Sequence, residues 1–166
     1  MPDPARRVLL VLVEQLEELA GRLAALAGEL LARHRASPAS RRLATIPGIG
    51  PVTASTLAAT VADPAAFRSG REFAAWLGLV PRQNSSGGKA RLGRISKRGD
   101  GDLRRLLITG AQAVLRWPRA VDANPWLKAL LARRPRLVAA VALANKLARI
   151  AWAVMRDETE FRPATA

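Results

Sequence analysis

The sequence predicts a mainly α-helical protein. It should carry a long N-terminal coiled-coil helix, a helix-hairpin-helix, and a compact helical domain with a basic Gly/Ser loop or short β-hairpin. Three observations predict this. The 166 residues are 49% hydrophobic but only 4% aromatic, with no Tyr, so the core must be mostly Leu, Ala and Val. Such a composition favours helices over sheets. Apolar residues recur in steps of three and four over long stretches, the helical period. Ser, Asp, Asn, Pro and Gly fall where helices start and stop. The length suits one domain, and neither a repeat nor an interdomain linker is visible.

The elements follow in order. The segment "ARRVLLVLVEQLEELAGRLAALAGELLARHRA" predicts one helix over about residues 5–35. Leu9, Leu12, Leu16, Leu19, Leu23, Leu26 and Leu30 form an a/d heptad seam. The helix could pack on its own domain or dimerise as a coiled coil, and the strictness of the seam favours dimerisation. Residues 39–162 form the second unit, opening with a helix-hairpin-helix at 39–62. A short helix over 39–45 leads to the tight turn "PGIG", and a second helix covers 51–62. Gly48 and Gly50 supply backbone freedom, and Pro51 suits a first helical turn. Ser69 with Glu72 three residues on reads as a capping box for a helix over 70–77. Its Phe73, Trp76 and Leu77 form an apolar face that reads as core. The turn-rich "NSSGG" suggests a short β-hairpin or an ordered loop. Asp100 or Asp102 should cap a helix over 102–117 that Pro118 stops. Asn124 and Pro125 begin a helix to 133, and a strongly apolar helix spans 135–157. The tail "TEFRPATA" should fray.

Charge and rare residues narrow the function. The formal charge is +14, which suggests nucleic acid first and an anionic membrane surface second. Abundant Arg and Ala contribute to that charge as general composition. There is no Cys, hence no disulfide or thiolate metal site, and His34 is the sole histidine. His-based triads and zinc clusters are thereby excluded. The apolar "VLLVLV" is short and charges follow at once, unlike a signal peptide or a transmembrane span. The protein is read as cytoplasmic, with no membrane partner.

Metal-dependent nucleases gather several acids in space. Asp100 and Asp102 are close but read as caps, and Asp157, Glu158 and Glu160 sit at a helix end, so no metal site is predicted in this chain. A serine hydroxyl can instead attack a phosphodiester and form a covalent phosphoserine link. Ser85 and Ser86 lie among Arg82, Lys89, Arg91, Arg94, Lys97 and Arg98, with Gly87 and Gly88 beside them. Arg stabilises developing phosphate charge bidentately. The composition fits serine-recombinase chemistry, and it fits a noncatalytic phosphate-binding loop equally well. The "IPGIGPVTASTL" string supplies a second phosphate contact. Ile46, Pro47, Gly48, Ile49, Gly50, Ala54 and Leu57 match the helix-hairpin-helix DNA-binding pattern. Such hairpins offer backbone N–H groups at a helix N-terminus, around Gly48, Ile49 and Gly50 here. The contact reads the phosphate backbone and not the bases.

These elements together carry a resemblance. Ile46–Gly50, Phe67, Phe73, Leu77-Gly78-Leu79, Pro81, Ser86-Gly87, Gly93, Ile95, Lys97, Gly99 and Leu103-Arg104 occur in the order of a known domain. They resemble the C-terminal transposase domain of the bridge-RNA-guided insertion-sequence transposases, the family that includes the Piv pilin-gene invertase. The late "ANKLARIAWAVMRDETEFRP" is similar to that family's terminal helix, so the resemblance covers about residues 5–162. It implies that Ser86, the serine before the glycine, is the nucleophile, with Ser85 as a register alternative. It implies strand cleavage and joining through a covalent phosphoserine intermediate, with DNA and guide RNA as partners. It also implies that the leading helix makes a homo-oligomer. Arg82, Lys89, Arg91, Arg94, Lys97 and Arg98 would cradle the scissile phosphate, with Arg104 at the adjacent helix start. The family's RuvC-like domain, whose four acids bind magnesium (Mg2+), has no counterpart in this sequence. Mg2+ is therefore expected only together with that domain, and the chain is expected to be inactive alone. The alternative is a noncatalytic nucleic-acid-binding module, or a dimeric inhibitor of full-length transposase.

Overall fold

The computed structural model describes residues 3–83 and 92–163. Among these residues the chain forms eight α-helices, one 3-10 turn and one two-stranded sheet, so it is mainly α. Helix α1 is Asp3–Ala36, α2 is Pro38–Ala44 and α3 is Pro51–Thr60. A 3-10 turn at Pro64–Ala66 leads to α4, Gly70–Trp76. Strands β1, Pro81–Gln83, and β2, Leu92–Ile95, pair antiparallel. Then come α5, Gly101–Leu115, α6, Pro118–Asp122, α7, Pro125–Arg133, and α8, Arg136–Asp157.

Local chemistry accounts for most boundaries. Ser37 Oγ accepts the Ser40 N–H at 3.2 Å to start α2. Ser69 Oγ accepts the Glu72 N–H at 3.2 Å to start α4. Glu72 Oε2 then accepts the Arg68 N–H at 2.8 Å, one residue further back than in a standard capping box. Asp100, not Asp102, caps α5, and its Oδ1 takes the N–H groups of both Asp102 and Leu103 at 2.9 Å. Asn124 Oδ1 takes the Leu127 N–H at 3.2 Å to start α7.

Four expectations need correction. Helix α3 ends at Thr60, because Asp63 Oδ1 takes the Ala65 N–H at 2.8 Å and opens the Pro64–Ala66 turn. Helix α5 ends at Leu115, before Pro118 can stop it. The proline forces Trp117 into extended backbone and its own fixed φ then starts α6, a helix the sequence reading omitted. Arg136 Nη2 donates to the freed Leu115 carbonyl at 2.8 Å. The tail does not fray at once. The Phe161 N–H donates to Thr45 Oγ1 at 2.9 Å, and its ring packs against the core.

The core lies around α8, which packs on α2, α4, α5 and α7. Ala139, Ala140, Leu143, Ala144, Leu147 and Ala148 turn inward and meet fully buried Phe73, Leu103 and Leu107. Small alanines let α8 approach its neighbours closely, while each buried leucine contributes about 2 kcal/mol of transfer free energy. Helix α8 is long and apolar enough to cross a membrane, but half of its most apolar stretch is buried inside the fold, as in a core helix. Helix α1 differs. Its leucines from Leu9 to Leu26 are 48–66% exposed, and among the described residues it packs on α2 and α3. His34 fixes that junction: Nδ1 lies 2.7 Å from Ser40 Oγ, which is 3.1 Å from Ser55 Oγ.

Candidate nucleic-acid interface

The hairpin turn at residues 46–50 is built into the core from one side. Ile46 and Ile49 are buried, as are Ala54 and Leu57 of the following helix. Gly48 adopts φ +93°, which L side chains rarely adopt. Its carbonyl lies so near Gly110 of α5 that a Cβ there would come within 1.9 Å of the oxygen. Of the three predicted phosphate-contact residues, Gly48 is half-buried, Ile49 is buried and Gly50 is exposed. Gly50 begins α3 with no side-chain cap, and Pro51 brings no N–H. Among the described residues the Val52 and Thr53 amides of this first turn receive no capping acceptor. The helix N-terminus thus presents unused donors and a positive dipole end.

The β-hairpin is anchored at its base from three directions. The Ser96 N–H donates to the Val80 carbonyl at 2.9 Å and the Lys97 N–H to the Gly78 carbonyl at 3.1 Å. Asn145 Nδ2 of α8 donates to the Leu79 carbonyl at 3.1 Å, and Arg104 Nη1 of α5 to the Leu77 carbonyl at 3.0 Å. Gly99, at φ +96°, presses against the end of α4: a Cβ there would meet the Trp76 carbonyl oxygen at 1.7 Å. Lys97 has φ +55°, also in the left-handed region. Beneath, Phe67, Phe73 and Trp76 pack ring on ring, with Phe67 and Phe73 edge to face at 5.1 Å. The base is therefore a stiff platform.

On this platform Arg82, Arg94, Lys97 and Arg98 are all exposed. Arg82 Nη2 donates to the Ser96 carbonyl at 3.1 Å. None of the four pairs with a carboxylate among the described residues. Arg104 is half-buried, and its Nη1 also reaches the Asp100 carbonyl at 3.4 Å. Ser85, Ser86, Lys89 and Arg91 lie outside the described residues, between the two strands in sequence. Helix α5 links the two elements: Arg104 braces the hairpin base, and Gly110 receives the 46–50 turn. The two positions are about 9 Å apart along the helix axis.

Acids are scarce around these cations. Asp100 is committed to its two capping bonds, and Asp102 pairs with Arg105 at 2.7 Å. Among the described residues no three His, Cys, Asp or Glu side chains gather as metal ligands. At the end of α8, the hydrogen bond from Arg156 holds the Asp157 carboxyl below its usual range and raises the guanidinium. The sequence reading missed a third basic group, Arg71, Lys146 and Arg149, which rims a groove along α8. The spacing of Lys146 and Arg149, three apart on a helix, was the available signal.

Comparisons with known proteins cover much of the chain. Residues 40–131 match the family described as transposase IS116/IS110/IS902. The chain is 52% identical over 165 residues to a probable family 20 transposase of Pseudomonas aeruginosa, covering 98% of this chain and 49% of that protein. It is 48% identical over 124 residues to the transposase for insertion sequence element IS1328 of Yersinia enterocolitica, covering 74% and 37%. It is 31% identical over 130 residues to the pilin gene-inverting protein of Moraxella bovis, covering 77% and 39%. The chain thus spans half or less of the length of the curated relatives it matches.

Proposed function

The chain belongs to the IS116/IS110/IS902 transposase family, and from that membership we propose that it is the DNA-holding, serine-bearing part of a transposase. The observation that carries this reading is the stiff hairpin base. It presents Arg82 and Arg94 on the two strands that flank Ser86 in sequence and Lys97 and Arg98 just after them, none paired with an acid among the described residues. Cations held outward on a rigid base suit a phosphodiester.

In the proposed reaction Ser86 Oγ attacks the phosphorus of a DNA phosphodiester. The bond from phosphorus to the departing strand's oxygen breaks, and that strand leaves as a free hydroxyl. The serine loses a proton as it attacks. A hydroxyl of the incoming strand then attacks the phosphoserine, Ser86 Oγ leaves, and it regains a proton. One phosphodiester replaces another, so no outside energy source is required. Arg82, Arg94, Lys97 and Arg98, with Lys89 and Arg91, stabilise the charge on the pentacoordinate phosphorus. Arg104 holds the adjacent end of α5 in place. The open N-terminus of α3, at Gly50, takes a second backbone phosphate.

The described acids do not fit a magnesium site, since Asp100 and Asp102 are engaged as cap and ion pair. Mg2+ is accordingly assigned to the family's acidic domain and not to these residues. Guide RNA would act with that larger assembly, inside the cytoplasm where the DNA lies. The exposed leucine seam of α1 supports a homo-oligomer formed through that helix.

A denaturing gel with a suicide DNA substrate and the complementing acidic domain tests the reaction. A covalent adduct is expected with the native chain and none with Ser86→Ala. An undiminished adduct in that variant would sink the assignment. The exposed seam also favours a second reading, a noncatalytic dimeric module that inhibits full-length transposase. That reading predicts salt-sensitive binding, unchanged by Ser86→Ala, with no adduct from either chain.

A further inference from the structure

A groove of about 1570 Å³ runs between the β-hairpin, α4 and α8. Val138, Val141, Asn145 and Arg149 recur three and four apart, so a single face of α8 lines it. Leu79, Ile95 and Ile108 extend an aliphatic floor from the valines, and Trp126 lines the groove with its ring part-exposed. Five cations line it as well: Arg71, Arg94, Lys97, Lys146 and Arg149. Among the described residues no carboxylate lines the groove and none of the five is in an ion pair. Lys146 Nζ lies over the Trp126 ring, 4.5 Å from its centroid, so an aromatic and a cation stand together.

Arg94 and Lys97 belong to the hairpin base, where the proposed reaction holds its phosphodiester. Arg71, Lys146 and Arg149 continue the row of cations away from that base, onto α4 and α8. A row of cations without acids takes an anionic occupant, and the surface between them is apolar. A DNA duplex does not match that combination. It hides its base faces in the stack and presents sugar and phosphate outward, so an aliphatic floor adds nothing to its binding. A single strand carries a charged backbone and bare base faces on one chain. Sites for such strands combine a basic groove with side chains against which bases pack. From Val138 to Arg149 the axis of α8 rises about 17 Å. That length holds about five nucleotides at the stacked rise of about 3.4 Å each.

We propose that the groove binds a single DNA strand continuous with the phosphodiester at the hairpin. Arg71, Lys146 and Arg149 pair with successive phosphates of that strand. Its bases turn toward the aliphatic floor and pack against Trp126. The contacts are to backbone and base faces, so they tolerate any sequence. This rests on the reading that the hairpin holds the reacting phosphodiester, and it adds where the adjoining strand lies. The commitment to DNA follows from that continuity.

The full chain is titrated with a labelled thymidine oligonucleotide, the matching uridine oligonucleotide and a closed duplex, read by fluorescence anisotropy. Lys146→Gln with Arg149→Gln should weaken thymidine-strand binding about tenfold. The slope of its log affinity against log salt should become shallower by about 1.4, two phosphate contacts at about 0.7 each. Duplex binding should change by less than about twofold, since it uses the hairpin and the start of α3. Trp126→Ala should weaken the strand about tenfold with the salt slope unchanged, because base packing and not charge is lost, and Trp126→Phe should restore most of it. Equal losses for strand and duplex would make the groove a general basic surface and overturn the proposal. Binding of the uridine strand alone would overturn the commitment to DNA, and no binding of either strand would remove the groove as a nucleic-acid site. Ser86→Ala should leave strand binding unchanged. The adduct assay then separates the two readings. An adduct at the native level from the Lys146→Gln, Arg149→Gln variant means that the groove does not hold the reacting strand, and the proposal falls while the phosphoserine reading stands. Strand binding by a native chain that forms no adduct counts against the reaction and not against the groove.

Discussion

Two glycine-bearing turns do opposite things in this molecule. The turn at 46–50 is fitted into the core: Ile46 and Ile49 are buried, and Gly48 sits against the backbone of Gly110. The paired strands Pro81–Gln83 and Leu92–Ile95 are held at their base, and their Arg82 and Arg94 stand in solvent. Both read as phosphate-binding stretches in the sequence. The structure separates them by what the side chains do. In the first, side chains hold the fold and the backbone is left for a ligand. In the second, the backbone holds the fold and side chains are left for a ligand. Substitutions should therefore damage stability in one and function in the other.

The largest expected effect is at Ser86. Ser86→Ala should abolish the phosphoserine adduct while leaving the melting temperature within about 1 °C, since the proposed role of that hydroxyl is in the reaction and not in the fold. A fall of several degrees would break the contrast. Next is Gly110→Ala. Its Cβ would meet the Gly48 carbonyl oxygen at 1.9 Å, so the turn must separate from α5. Overpacking of this kind costs about 3 kcal/mol, which lowers the melting temperature by about 9 °C in a chain of this size. Calorimetry of the isolated chain reads it, and an unchanged transition would show that the turn is not wedged. The double variant Arg94→Ala with Lys97→Ala should retain its fold and lose DNA affinity evenly across sequences. The slope of log affinity against log salt should become shallower by about 2, one per lost phosphate contact. A sequence-dependent loss would mean base reading instead. The smallest effect is at Val52, which is 50% exposed in the first turn of α3. Val52→Glu should weaken DNA binding about threefold by repelling the phosphate, without destabilising the helix. Unchanged binding would remove the α3 N-terminus from the interface.

Much of the fold was legible because local chemistry decides it. Ser69, Asp100 and Asn124 each cap the helix that follows them. Pro118 misled because one residue type both ends and begins helices, and only the chain path through Trp117 selects between them. The candidate site was legible in part. The basic hairpin and the 46–50 turn were visible as strings, because turn residues and cations cluster along the chain. The groove was not, because Arg71, Arg94 and Lys146 come from three separate elements. Nor does any string show that Arg104 points back to the Leu77 carbonyl.

Helices α1 and α8 mark the boundary most plainly. Both are long, leucine- and alanine-rich and helical in period, and the sequence alone determined that each would be a helix with an apolar face. Hydrogen bonding and side-chain spacing within one turn suffice for that. Composition likewise determined the basic charge and the absence of thiol and histidine chemistry. Only the tertiary structure decided that α8 is wrapped by α2, α4, α5 and α7 while α1 stands uncovered. An apolar face specifies that it must be covered, not by what. The covering surface is assembled from residues distant in sequence, and their convergence exists only once the chain has folded.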